Sequence, residues 1–156
     1  MLKVYRELKG CHGVCKIYHY GVQDPFNVLV MDLLGPSLED CFNKCDRKFS
    51  LKTLLQIADQ LLDRMSMLFS RLLNHRDIKP GNFAVGRGDN RSLIYCVDFG
   101  MSKRFRDPHT GKHIPYVDGK SLAGRVCVCV CVCVCVIGRV CVCRVGIVLY
   151  RLWRLR

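Results

Sequence analysis

The 156-residue chain has room for one domain and carries a net charge of +12. An excess of that size ordinarily points to nucleic acid or a membrane surface. All 13 acidic residues precede position 125, however, while Arg125, Arg139, Arg144, Arg151, Arg154 and Arg156 follow it, so half of the excess sits in the tail and nucleic-acid binding is not expected of the rest.

Met1 to Lys9 has the pattern of a helix end stopped by Gly10, and the polar start MLKVYRELKG reads as helical rather than as a secretion signal. Cys11-His12-Gly13-Val14-Cys15 brings thiols and an imidazole together, but no second ligand pair follows at metal-site spacing, so a loop is expected. Ile17–Tyr20 and Phe26–Met31 are expected to be strands joined by a turn at Gln23-Asp24-Pro25. Gly35-Pro36 breaks the second strand, and Ser37 with Asp40 three residues on has the form of a capping box. The helix that follows is expected to carry Cys41 and Cys45 on one face. Ser50 is expected to cap the longest helix, with Leu51, Leu54, Leu55, Ala58, Leu61, Leu62, Met65, Leu68, Phe69 and Leu72 as a core stripe. Phe83–Val85 and Ile94–Val97 are expected to form a hairpin across Gly86 to Asn90. The Arg87-Gly88-Asp89 tripeptide in that turn is explained by a hairpin tip rather than by adhesion.

The long helix delivers the chain into NHRDIKPGNFAVGRGDNRSLIYCVDFG, residues 74–100. One Asp in a polar loop is ordinarily a turn or cap residue. Here Asp77, Lys79, Asn82 and Asp98 fall together at the spacing of the H-R-D-x-x-x-x-N and D-F-G pair. Phosphoryl transfer needs positioning and charge neutralisation more than covalent work by the protein. A carboxylate must accept the proton of the incoming hydroxyl, for which Asp77 is the candidate, and Lys79 is placed to offset phosphoryl charge. Mg²⁺ wants oxygen ligands, which Asn82 and Asp98 supply. His75 is expected to pack under Phe99, and Arg76 to serve the loop's hydrogen bonds.

With Leu34-Gly35-Pro36-Ser37-Leu38-Glu39-Asp40, Arg47 to Thr53, His75 to Asn82 and Arg106-Asp107-Pro108 through Tyr116, the chain resembles the casein kinase 1 family over about residues 2–124. The resemblance implies an α+β protein kinase-like fold, incomplete: part of the small lobe, the hinge and part of the helical lobe. It implies a serine/threonine kinase using ATP and Mg²⁺, acting on protein substrates that are acidic or already phosphorylated. Asp77 and Lys79 then look catalytic, and Asn82 and Asp98 look like the Mg²⁺ ligands. Met31 looks like the gatekeeper behind the adenine, and Asp32 and Leu34 like hinge residues. Ala84 stands where the family has a larger Leu under the adenine. Asn74 replaces an apolar residue and Gly81 an acidic one, neither removing a catalytic group.

The position of the helix Glu that partners the ATP lysine aligns near Met1, and neither that lysine nor a Gly-rich loop is present in residues 1–156. The family pattern ends at Gly124. Residues 1–124 are therefore expected to be a partial kinase domain with little or no activity, and 125–156 a low-complexity tail. Alternatives are a non-catalytic kinase-derived binding fragment, or a membrane-associated or metal-binding tail protein.

Seven of the 12 cysteines lie in that tail, where Val and Cys alternate from Val126 to Val136. A GT dinucleotide repeat encodes Val-Cys in every frame, so origin in such a repeat is expected. At 12 apolar residues, Val126 to Ile137 is too short for a helix crossing about 30 Å of hydrocarbon; no membrane role is expected for 1–124. As a strand the tail would be aggregation-prone. The five scattered cysteines fit a reduced intracellular compartment, cytoplasm or nucleus.

Overall fold

Two serines start the main helices as their spacing predicts. Ser37 Oγ accepts from the Asp40 amide at 3.1 Å and the Asp40 carboxylate accepts from the Ser37 amide at 2.9 Å, closing the capping box of α2 (Leu38–Lys44). The Ser37 hydroxyl, which donates to the same carboxylate at 2.6 Å, and then the Ser37 amide hold the Asp40 carboxyl below its usual range. Ser50 Oγ accepts from Thr53 N at 3.1 Å at the head of α3 (Leu51–Ser70). The computed structural model describes residues 1–115 of the chain.

The fold is α+β. A short helix α1 (Leu2–Glu7) leads into an antiparallel hairpin of β1 (Ile17–Gln23) and β2 (Phe26–Met31). After α2 and α3 come β3 (Leu73–Asn74), β4 (Phe83–Val85), β5 (Ile94–Cys96) and β6 (Lys103–Arg104). β4 pairs antiparallel with β5 and β3 with β6, each a two-stranded sheet. β1 runs three residues beyond Tyr20, because Val22 and Gln23 still pair with Asn27 and Phe26 across the turn.

One cluster joins these pieces. Tyr5 and Leu8 of the first helical segment meet Ile57, Leu61, Met65 and Leu68 of α3 and Leu73, Ile78, Phe83, Ile94, Cys96 and Phe99 of the segment after it. Burying each large apolar side chain contributes about 1.5–3 kcal/mol. The Arg104–Glu7 ion pair at 2.7 Å also ties β6 back to α1.

The core stripe expected along α3 is corrected. Leu51, Leu55, Leu62 and Phe69 are exposed, whereas Ile57 and Arg64, absent from that stripe, are buried. At about 3.6 residues per turn, the buried row through Leu54, Ile57, Leu61, Arg64 and Leu68 lies roughly a third of a turn from the row through Leu51, Leu55, Leu62 and Phe69. The apolar arc is wider than the surface that the described residues cover. Among those residues no helix is long and apolar enough to cross a membrane. The 124/125 domain boundary and the whole Val-Cys tail lie outside the described residues.

Candidate active site

α3 is capped at its C-terminus by Arg71, and Leu72 at φ +59° turns the chain into β3. β3 is held by β6, which fixes the start of the loop His75–Asn82. The loop's far end is fixed by the β4–β5 hairpin, itself pinned from three sides. Gln60 of α3 accepts from Ile94 N at 2.8 Å and donates to Ser92 O at 2.9 Å. Ser37 bridges Ala84, and Val14 bridges Cys96. Gly86 closes the tip, where a Cβ would collide with the Asn90 carbonyl.

His75 is almost fully buried, between Phe99 at 5.3 Å and Phe83 at 6.5 Å between ring centroids. Its Nε2 lies 3.0 Å from the Val97 carbonyl, which can only accept, so Nε2 carries the proton. Nδ1 is then the acceptor for Asp77 N–H, at 3.4 Å. Burial lowers the imidazole's pKa from its ordinary 6.5, against an opposing pull from the Val97 bond, and favours this neutral form. His75 thus packs under Phe99 as expected, and its ring also orients the next residue but one.

Asp77, Lys79 and Asn82 come together. The Asp77 carboxylate Oδ2 accepts from Lys79 Nζ at 2.7 Å and from Asn82 Nδ2 at 2.9 Å. The same Asn82 Nδ2 donates to the Asp77 carbonyl at 2.8 Å. With its nitrogen committed twice, the buried amide is fixed in orientation and its carbonyl oxygen points away from Asp77. Val97 N donates to Asn82 O at 3.0 Å, which brings the neighbouring Asp98 to the same end of the hairpin. Asp98 sits in the left-handed region at φ +58°, and its Oδ1 accepts from Gly100 N at 3.1 Å. Arg76 is left-handed too, at φ +68°, with Nε donating to Met101 O at 2.6 Å, which is the loop role expected of it. Such backbone outliers at non-glycine residues cost about 1–3 kcal/mol each and cluster at functional sites.

The second expected group lies on the stretch joining β2 to α2. Gly35 N donates to Val85 O at 2.8 Å and Val85 N to Pro36 O at 3.0 Å, so the residues just after Leu34 run against the end of β4, with Ser37 opposite buried Ala84. Met31 is half-buried against the core. Asp32 turns towards β1: its carboxylate accepts from Lys16 N and Tyr18 Oη, both at 2.7 Å, and its N–H donates to Lys16 O. Its N–H and both carboxylate oxygens are thereby engaged.

Among the described residues no group of three or more His, Cys, Asp or Glu could hold a metal ion, and Cys11 to Cys15 form a loop, as expected. The oxygens of Asn82 and Asp98, one amide and one carboxylate, nonetheless suit a hard cation that also takes oxygens from a substrate. Burial pushes the Cys15 thiol up to about 11 and that of Cys96 higher still, so neither is a nucleophile.

Three residues were missed. Tyr5 meets Phe99 edge-on at 4.9 Å and its hydroxyl faces the Asp98 amide; burial raises its pKa to about 12. Its helical spacing to Leu8 was the available signal. Gln60 pins the hairpin from one turn before Arg64. Arg64 is 3% exposed and donates to the His12 carbonyl and, at 3.1 Å, to His12 Nδ1, while its Nε has no partner. A polar residue on the row Ile57, Leu61, Leu68 was its signal.

A family model described as the protein kinase domain matches residues 2–119.

Proposed function

The chain belongs to the protein kinase family, and from that premise we propose a casein kinase 1-like serine/threonine kinase module in which Asp77 receives the substrate proton. Protein kinases use ATP and a divalent metal and act on protein substrates, and the α+β arrangement of residues 1–115 is that fold in part. The observation that carries the reading is the pair of hydrogen bonds that Asn82 Nδ2 donates to the backbone carbonyl and the carboxylate of Asp77. It locks the carboxylate that we assign to the hydroxyl proton to the residue whose amide oxygen suits a cation.

When bound, ATP supplies the phosphoryl group and Mg²⁺ neutralises charge on its oxygens. The chain's own residues do the rest. Asp77 orients a serine or threonine hydroxyl and accepts its proton on the carboxylate. Lys79, held 2.7 Å from that carboxylate, offsets negative charge on its exposed side. Asn82 and Asp98 would hold the cation through their amide and carboxylate oxygens. Met31, the Asp32 carbonyl, Leu34 and Ala84 line the adenine side. Acidic or already phosphorylated substrates and an intracellular location complete the reading, the latter supported by the five unpaired cysteines among the described residues.

A radiolabelled-ATP assay of the purified chain on an acidic serine peptide tests it. Turnover is expected to be low, because no Gly-rich phosphate loop lies in residues 1–156. Asp77→Asn should reduce it by about 10²–10⁴-fold; equal turnover in the two proteins overturns the role of Asp77. Phosphotyrosine in the product would overturn serine/threonine specificity. The exposed leucines of α3 favour a second reading, a non-catalytic module that competes with a full kinase for partners. Partner capture that survives Asp77→Asn in a chain without turnover would favour it.

A further inference from the structure

Arg64 carries a permanent charge on α3 and is 3% exposed, yet among the described residues no carboxylate pairs with it. A buried charge is tolerated only when it is well hydrogen-bonded, and its Nε has no partner. The polar contacts it does make are both with His12, in the loop 11–15. Nη1 donates to the His12 carbonyl, and Nη2 to His12 Nδ1 at 3.1 Å. The guanidinium lies against Gly13, at φ +74°, where a Cβ would collide with it. The cation is thus wedged under the loop.

Nδ1 can accept only while the imidazole is neutral with its proton on Nε2. Imidazoles are the side chains that change charge between about pH 5 and 8, and His12 is exposed to solvent. Protonation turns Nδ1 from acceptor to donor and sets a second positive charge beside the first. Nothing on the elements packed about the loop offsets that charge. Burial holds the Tyr5 hydroxyl of α1 and the Cys15 and Cys96 thiols neutral. Lys9 and Lys16 flank the loop and add positive charge. Glu7 is paired with Arg104, and Asp63, next to Arg64, is exposed. Asp32 and Asp98, the acids that act on Cys15 and Tyr5, are bound by Lys16 N with Tyr18 Oη and by Gly100 N.

The same loop holds β5 on the edge opposite β4. Gly13 O accepts from Cys96 N at 2.8 Å, and Val14 bridges the fully buried Cys96, two residues before Asp98. We infer that neutral His12 is a positioning residue: through Arg64 and Gly13 it holds β5, and with it Asp98, and its protonation loosens that end of the site. Asp98 matters here as the cation ligand proposed above, on which this inference rests.

Hydrogen exchange of peptides covering 94–98 in the full chain tests this, at pH 7.5 and pH 5 and corrected for intrinsic exchange. Two variants at the exposed position accompany the wild type. His12→Asn supplies a carbonyl oxygen near Nδ1 that acid does not remove, and His12→Lys supplies a fixed charge. Between the two pH values, exchange in the wild type should rise about tenfold more than in His12→Asn, the loss expected of one hydrogen bond from a charged donor. His12→Lys should already exchange about tenfold faster than the wild type at pH 7.5. His75 is present in all three proteins, so its own titration does not distinguish them. An equal rise in the wild type and His12→Asn overturns the inference, and so does His12→Lys exchanging no faster than the wild type at pH 7.5. The readout needs no turnover. Activity indifferent to Asp77→Asn would therefore remove the proposed catalysis and leave the His12 effect standing, whereas equal exchange with Asp77-dependent activity would remove the His12 effect alone.

Discussion

The chain contains two hairpins of similar local character and opposite fate. β4–β5 has strands of three residues and β1–β2 strands of seven and six, so by length alone the second should be the firmer. The reverse holds. Phe83, Ala84, Ile94 and Cys96 are buried, and α3, the Ser37 stretch and the Val14 loop each hold β4–β5 by hydrogen bonds. β1–β2 leaves Tyr18, Val22 and Phe26 more than half exposed. Strand length contributes little when the ladder is alone; contact with a second layer decides. The proposed catalytic residues hang from the hairpin that is held, and precise placement of a carboxylate requires that.

The largest way to break this contrast is Phe83→Ala. Phe83 opens β4, is fully buried, and packs beside His75. The change should cost about 3–5 kcal/mol. In urea titrations the midpoint should collapse, with loss of structure around residues 75–100. A cost under about 1 kcal/mol would mean that this hairpin is no better anchored than β1–β2.

Gln60→Ala should come next, at about 1–3 kcal/mol. It leaves Ile94 N–H without its acceptor and Ser92 O without its donor, and part-buried groups left unpaired are costly. Equilibrium unfolding reads the loss, and hydrogen exchange should place the opening at 92–96 rather than at 17–31.

Much of this architecture was legible because it is local. Ser37, Asp40 and Ser50 cap their helices by bonds to residues three along, which spacing encodes. The β4–β5 hairpin and the Asp77, Lys79 and Asn82 cluster also lie within short stretches. What escaped reading is long-range. Tyr5 reaches Phe99 and Arg64 reaches His12 across separations that no period predicts. Which half of a broad apolar arc on α3 would be covered depended on the partner surface, so Leu55 and Leu62 looked like core and are not.

pH should separate the two hairpins more gently. Burial depresses the His75 pKa below its ordinary 6.5, so the neutral form favours folding. That stabilisation is present above about pH 6.5 and lost as pH falls through the depressed value. Thermal unfolding should therefore show Tm declining below pH 6.5, first through the 75–100 region. His75→Phe, which keeps a ring between Phe99 and Phe83, should flatten the decline. A wild-type Tm unchanged from pH 7.5 to pH 5 would contradict a buried neutral imidazole.

Val22→Thr should have the smallest effect. Val22 is 74% exposed near the turn of β1–β2. Threonine keeps the branched Cβ that suits a strand and exchanges one methyl for a hydroxyl. Solvent can hydrogen-bond that hydroxyl where it stands, so no buried polar group is created. The expected change is within about 0.5 kcal/mol, as for surface substitutions away from special features. The same apolar-to-polar exchange in β4–β5, Val85→Thr, has a half-buried site packed against the core and should cost more. Equal costs for the pair in one unfolding assay would show that Val22 is already covered in the full chain, and the contrast between the hairpins would then be one of register rather than of burial.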